Sequence, residues 1–298
     1  SAASDVYKRQ DFMKRAVFAT ICLFCIVVWP AAAQISPDLV AMAPAGEVDR
    51  LITTREFEIN KPFAGDMTLL SSACLNEDGR EVVDALLAKG GDPNFKTYGG
   101  MTPLMYAASN RHGNVYCLKK LLSMGVAPNA TDNRRRTALM FAAAQRNPEF
   151  VRLLLAYGAN VNARDSRGGT ALFYAVRLNE NVEVCRMLLA AGANVHARGN
   201  NANTILNEAA GSNRNPEITA LLLRYGAGIN AGNADYATPL IFAAKLNPNP
   251  EVVSLLLDKG ANPLLRTRFG YRAVDFAALN PGLRETEVFE RLRKVSIR

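Results

Sequence analysis

From Thr137 to Asn162 the chain reads TALMFAAAQRNPEFVRLLLAYGANVN, two short apolar runs broken by a polar Gln-Arg-Asn-Pro turn. The spacing of the apolar positions predicts a helix, a turn and a second helix, then a glycine stop at Gly158 and an extended exit. The pattern returns along the chain. Its opening threonine recurs at Thr68, Thr102, Thr170, Thr204 and Thr238, with Arg272 in the same slot at the end, in steps of 33–35 residues. Its glycine recurs at Gly125, Gly192, Gly226 and Gly260. A fixed period in this range predicts stacked helical units rather than one globular core.

Each slot has a physical reason. Threonine ahead of the first helix is able to cap an orphan backbone N–H. Pro103 and Pro239 follow it at the first helical position, where a missing N–H costs nothing. Alanine pairs such as Ala107 and Ala108, or Ala243 and Ala244, keep that helix thin enough for close stacking. The second helix opens on Asn-Pro-Glu at Asn147, Asn215 and Asn249, a cap followed by a pre-set residue and a carboxylate near the positive helix end. Leucine pairs then face the core, and glycine supplies the left-handed residue that ends the helix.

These residues resemble the ankyrin repeat, whose pattern is T-P-L-H-x-A-A, a second helix ending in L-L, then G-A-D-V-N-A. The resemblance spans roughly residues 45–298 and implies an all-α solenoid of stacked helix-turn-helix units with short β-turn or hairpin tips. There are departures. The family's histidine is replaced by Met105, Met140, Phe173, Asn207, Ile241 and Asp275, so its hydrogen bonds must be made otherwise or be absent. Most repeats carry an extra residue between the helices, which predicts longer inter-helix turns in the same fold.

The ends differ from the middle. Residues 1–12 read as an artefact ahead of Met13. Lys14 and Arg15, the apolar run from Ala16 to Trp29, and Ala31-Ala32-Ala33 before Gln34 predict a secretory signal peptide over 13–33. The run is short for a membrane span, and a retained anchor is the alternative. Residues 34–65 fit an N-terminal cap with a half repeat, in which Asn60 takes the exit position. Ankyrin repeats are expected over 66–266 and a C-terminal capping repeat over 267–298, where Val288, Leu292 and Val295 would share one buried helix face. With its signal, the chain resembles ankyrin-repeat proteins of the exported bacterial type, and a periplasmic or secreted monomer is expected.

Charge adds little. Lys and Arg number 35 against 27 Asp and Glu, a mildly basic balance that does not demand nucleic acid. No stable membrane insertion is expected once the signal is removed. The chain has two histidines, His112 and His196, and neither has a partner at metal-ligand or general-base spacing. No phosphate loop or nucleophile elbow is present. No metal, cofactor or catalytic residue is expected, and the chain reads as a non-enzyme. Cys74, Cys117 and Cys185 fall in buried helix slots and are expected to be separate apolar thiols, although a Cys74–Cys117 bridge is conceivable.

One feature suggests a site. Lys96, Arg134, Arg135, Arg136, Arg164, Arg167, Arg198, Arg266 and Arg268 all lie in the turns just before the repeat threonine. Arg177 and Lys245 lie near the ends of first helices on the same side, and Tyr98, Tyr236, Phe269 and Tyr271 accompany them. Arginine and tyrosine are anchor types of protein interfaces. The competing view is that turns are polar because they are wet. The resemblance implies a non-catalytic scaffold of the cell envelope gripping a protein through its concave face and turn tips. By analogy with exported bacterial members, that partner would be an envelope enzyme needing protection, as in oxidative stress defence, or a toxin held by an immunity-type inhibitor. The alternative is an anion binder acting on lipid headgroups or an acidic envelope polymer. The direct test from sequence is joint charge reversal of Arg134, Arg135 and Arg136, expected to abolish capture and spare helix content.

Overall fold

The computed structural model describes residues 59–62, 67–75, 80–109 and 115–296. The signal pattern, most of the 34–65 cap and His112 lie outside the described residues. Fourteen α-helices occur among the described residues, in seven consecutive pairs. The pairs are α1 (Leu69–Ala73) with α2 (Arg80–Ala88), α3 (Pro103–Ser109) with α4 (Val115–Ser123), and α5 (Ala138–Ala143) with α6 (Pro148–Ala156). There follow α7 (Ala171–Leu178) with α8 (Val182–Ala190), α9 (Ile205–Ser212) with α10 (Pro216–Arg224), α11 (Pro239–Leu246) with α12 (Pro250–Asp258), and α13 (Ala273–Ala277) with α14 (Glu287–Ser296). First helices pack on first helices and second on second, so each unit touches its neighbours and the stack is the expected all-α solenoid.

Local chemistry sets the helix ends. Asn147, Asn215 and Asn249 accept the N–H of the glutamate two residues on, at 2.9–3.0 Å. Gly125, Gly158, Gly192, Gly226 and Gly260 hold φ of 80–89°, the left-handed stop. Threonine capping is uneven. Thr68, Thr102, Thr204 and Thr238 accept the N–H three residues on. Thr137 and Thr170 do not.

The thin alanine helices and the leucines of the second helices form one apolar interior in two clusters, joined where Leu223 packs against both. Two side-chain ladders reinforce it. At the inter-helix turns, Asn179, Asn213, Asn247 and Asn280 are buried. Each donates its amide to two backbone carbonyls of the preceding repeat; Asn247 reaches Ala210 and Asn213, both at 2.8 Å. The extra inter-helix residue therefore lengthens the turn and also crosslinks it. At the exits, Asn129 donates to Gly158 O and accepts from Asn160 N, and Asn162 does the same with Gly192 and Asn194. Asn60 makes the same pair with Gly90 and Asp92.

Two expectations are corrected. Cys74 and Cys117 are not separate thiols: they form a disulfide with Cα atoms 5.6 Å apart. Stacking sets the residue that ends α1 against α4 of the next repeat, within bridging range. The C-terminal helix also turns its expected face slightly: Val288 and Leu292 pack into the core, and Val295 does not. Leu292 and Ser296 are buried while Val295 is 38% exposed. The Arg272 guanidinium donates to the Ser296 carbonyl at 2.7 Å, which draws that last turn inward.

Candidate functional site: the fingertips and first-helix face

Each fingertip is a reverse loop between one repeat's exit and the next repeat's first helix. The loop closes on its own backbone, as in Asp132 N to Arg136 O at 3.0 Å and Thr267 N to Tyr271 O at 2.8 Å. A side-chain oxygen at its base holds the loop open. Asp132 Oδ1 takes the N–H groups of Arg134 and Arg136, Asp165 Oδ1 those of Arg167 and Gly169, and Asn233 Oδ1 those of Asp235 and Ala237. Tips join to one another through Asn133 N to Gly99 O, Ser166 N to Arg134 O, Ala234 N to Asn201 O and Arg268 N to Asp235 O.

This loop needs a left-handed residue two positions before the repeat threonine. Gly100, Gly168 and Gly270 meet the need directly, but Arg135, Ala202 and Tyr236 adopt φ of 60°, 54° and 59° there. An L-residue in this region costs roughly 1–2 kcal/mol that glycine avoids. Tyr236 is nevertheless 65% exposed, so it repays the strain with little packing. Tyr236→Gly is expected to stabilise the C-terminal repeats by about 0.5–1 kcal/mol, less than the full strain because glycine loosens the unfolded chain. Urea denaturation checks this, and a fall in stability would show that the ring packs more than its exposure indicates.

The cations divide into two groups. Arg136 is committed to the fold: it pairs with buried Asp132 at 2.7 Å and lies over the Phe141 ring at 4.6 Å. Arg164 and Arg198 bond carbonyls of the next tip, at Arg198 and Gly232. Arg266 bonds Gly270 O, and Arg268 pairs with Asp235 at 3.2 Å. Lys96, Arg134, Arg135, Arg167 and Arg177 are exposed and make no ion pair among the described residues. The three-arginine reversal is therefore corrected. Reversing Arg136 would strand a buried carboxylate, so helix content would not be spared.

Beside the tips runs a column of half-buried rings four residues after the threonine position of every repeat from Thr102 onward: Tyr106, Phe141, Tyr174, Phe242 and Phe276, with Glu208 interrupting. Tyr174 donates to Asp165 Oδ2 at 2.8 Å, and burial together with that bond pushes its pKa up to about 12. The Glu208 carboxylate accepts from the Asn203 amide at 2.8 Å. The Lys245 ammonium sits 5.2 Å above the Phe276 ring, and Tyr271 packs against the same ring at 5.7 Å. Tyr98 and Phe269 project from their tips, 87% and 72% exposed.

Between the last three tips and helices α11 and α13 lies a groove of about 260 Å³. Ile241, Phe242, Leu246, Phe269 and Phe276 wall it, and Asn201, Asn203, Asn233, Asp235 and Lys245 edge it. Of the residues expected from sequence, the structure brings Lys245 and Phe269 into this groove and Arg268 to its edge through Asp235. It does not bring Lys96, Tyr98 or Arg134 there. Among the described residues no trio of His, Cys, Asp and Glu is placed to hold a metal, and no helix is long and apolar enough to cross a membrane.

A family model described as "Ankyrin repeats (3 copies)" matches residues 39–132, 110–199 and 206–295, most of the chain. The chain is an ankyrin-repeat protein. Its structure is similar to the crystal structure of the human ASB11 ankyrin repeat domain, at 27% identity and a TM-score of 0.67 over 77% of this chain and 98% of that one. No curated protein matches it significantly. Ankyrin repeats are protein-interaction modules, and the fold is in general a non-enzymatic scaffold.

In this ankyrin-repeat protein the vacated histidine slot is mostly apolar and buried, at Met105, Met140, Phe173 and Ile241. Asn207 replaces the lost chemistry in one repeat. It receives the Thr204 hydroxyl and donates to Ala237 O of the next repeat at 2.8 Å. The free Cys185 is inert, since burial pushes its thiol up to about 12. Sequence reasoning missed the aromatic column and the buried inter-helix asparagines. Both repeat with the period of the threonines, and that register would have found them.

Proposed function

We propose that the fingertips and first-helix face grip a protein partner in an oxidising compartment outside the cytoplasm. The carrying observation is the groove of the last three repeats, where three phenylalanines meet a row of tips already fixed by their own hydrogen bonds. A site whose backbone is held before binding loses less entropy when the partner arrives. The compartment is supported by two independent features: the signal pattern over 13–33, and a disulfide of a kind that persists where thiols are oxidised. Within that compartment, a protected enzyme or a restrained toxin suits a non-catalytic grip.

The unpaired arginines Arg134, Arg135 and Arg167 favour a second reading, an anionic polymer or headgroup bound at the tips. Capture experiments separate the two. The chain is used to pull partners from an extracytoplasmic fraction, alongside a variant with Arg134→Glu, Arg135→Glu and Arg167→Glu. The variant is expected to keep its helix content and to lose the partner protein. A partner seated on the aromatic column should still be captured at high salt even where flanking charges are screened; complete loss of capture at high salt would favour the anionic ligand. Capture unchanged in the variant removes the tips of Arg134, Arg135 and Arg167 from the site and leaves those around the groove.

A further inference from the structure

The groove's size, lining and charge together restrict what it accepts. We propose, resting on the protein-binding reading above, that it seats a single aromatic side chain from an extended acidic segment of the partner. Its volume of about 260 Å³ falls under the roughly 300–1,000 Å³ typical of small-molecule pockets and suits one large side chain. Phe242, Phe269 and Phe276 line it, and aromatic side chains are the partners against which an entering ring gains most. Gly211 of α9 keeps the neighbouring helix surface low. A Cβ there would meet Phe242 Cδ1 at 3.2 Å and Leu246 Cδ1 at 3.4 Å, so the absent side chain leaves both free to line the groove.

The surrounding charge fixes the sign of the partner. Asp235 is already taken by Arg268 and by the Asn201 amide at 3.0 Å. Glu208 is bonded to Asn203. Lys245 sits over the Phe276 ring and makes no ion pair among the described residues, and Arg198 is bound to carbonyls. The groove's lining thus holds one carboxylate, Asp235, which Arg268 neutralises, and one cation, Lys245, which has no carboxylate partner among the described residues. A carboxylate beside the inserted ring completes Lys245, whereas a basic segment is repelled by it.

The test is selection of short linear peptides from a display library against the chain at low salt. The winners are then synthesised and titrated against wild type, Phe269→Ala and Lys245→Glu. The expected consensus is one aromatic residue flanked by Asp or Glu, with affinity reduced about tenfold or more by either substitution. Both residues are exposed, so thermal melts of the variants should match wild type, which separates lost binding from lost folding. A consensus without carboxylates, or winners indifferent to both substitutions, overturns the proposal. Winners that instead fail on the Arg134→Glu, Arg135→Glu, Arg167→Glu variant leave the protein-binding reading standing and remove this groove from it. Vesicles of phosphatidylglycerol form a second arm. If no peptide is enriched while vesicles bind through Phe269 and Lys245, the occupant is a lipid surface and both readings fall.

Discussion

Replacing Cys74 and Cys117 by serine is expected to loosen the N-terminal end of the stack and leave its far end folded. The bridge joins residues 43 apart in sequence. Closing a loop of that length removes about 4 kcal/mol of denatured-state entropy in the chain-entropy picture. Among the described residues, the first helix of that end, α1, has only five residues. In a stack whose units touch only their neighbours, a defect weakens its own repeat first and fades with distance. Hydrogen exchange is the decisive measurement. Amides of α1, α2 and α4 should lose protection in the double variant or under reductant, while those of α9 to α12 keep theirs. Uniform loss along the chain would mean that the repeats melt as one unit and the bridge is not a local staple.

The second large effect is expected at Asn247. Its amide serves the carbonyls of Ala210 and Asn213 at 2.8 Å, and its oxygen takes the Asn249 N–H at 3.0 Å. The residue is fully buried, and so are its two bonds to carbonyls, which water is poorly placed to replace. Asn247→Ala leaves two carbonyls and one N–H without partners. At about 1 kcal/mol per bond, with added desolvation for whatever stays buried, the loss should reach about 3–5 kcal/mol. Asn249→Ala provides the contrast. Asn249 caps α12 and donates to Arg214 O from a more exposed position, and its removal should cost about 1–2 kcal/mol. Equal losses for the two, in denaturant titrations, would show that the inter-helix ladder is worth no more than an ordinary cap.

What the sequence disclosed and what it hid follow from the distance over which each feature acts. The helix boundaries rest on neighbours within a few residues: Pro250 beside its cap Asn249, or Gly260 turning left after Leu257. Such features are legible because the cause lies next to the effect. The Cys74–Cys117 bridge and the double grip of Asn213 depend on groups one repeat away, brought close only by stacking. Arg136 shows the same limit at the candidate site. In the sequence it is one of three equal arginines; in the fold it neutralises Asp132, while Arg134 and Arg135 face solvent. The groove was half legible. Phe269 and Lys245 stood among the expected contact residues, but nothing in the sequence singled out Phe242 and Phe276, which the stack leaves half-buried on the open face.

The inter-helix asparagines also give the assembly a direction. Asn213 leans on the carbonyl of Asn179, Asn247 on that of Asn213, and Asn280 on that of Asn247. In every case the acceptor belongs to the earlier repeat and the donor to the later one. A chain leaving the ribosome therefore presents each acceptor of this ladder before the amide that needs it is synthesised, while the exit asparagines Asn129 and Asn162 wait for the next repeat's carbonyl. Growth from the opposite end would leave every amide of the ladder waiting for a carbonyl not yet in place.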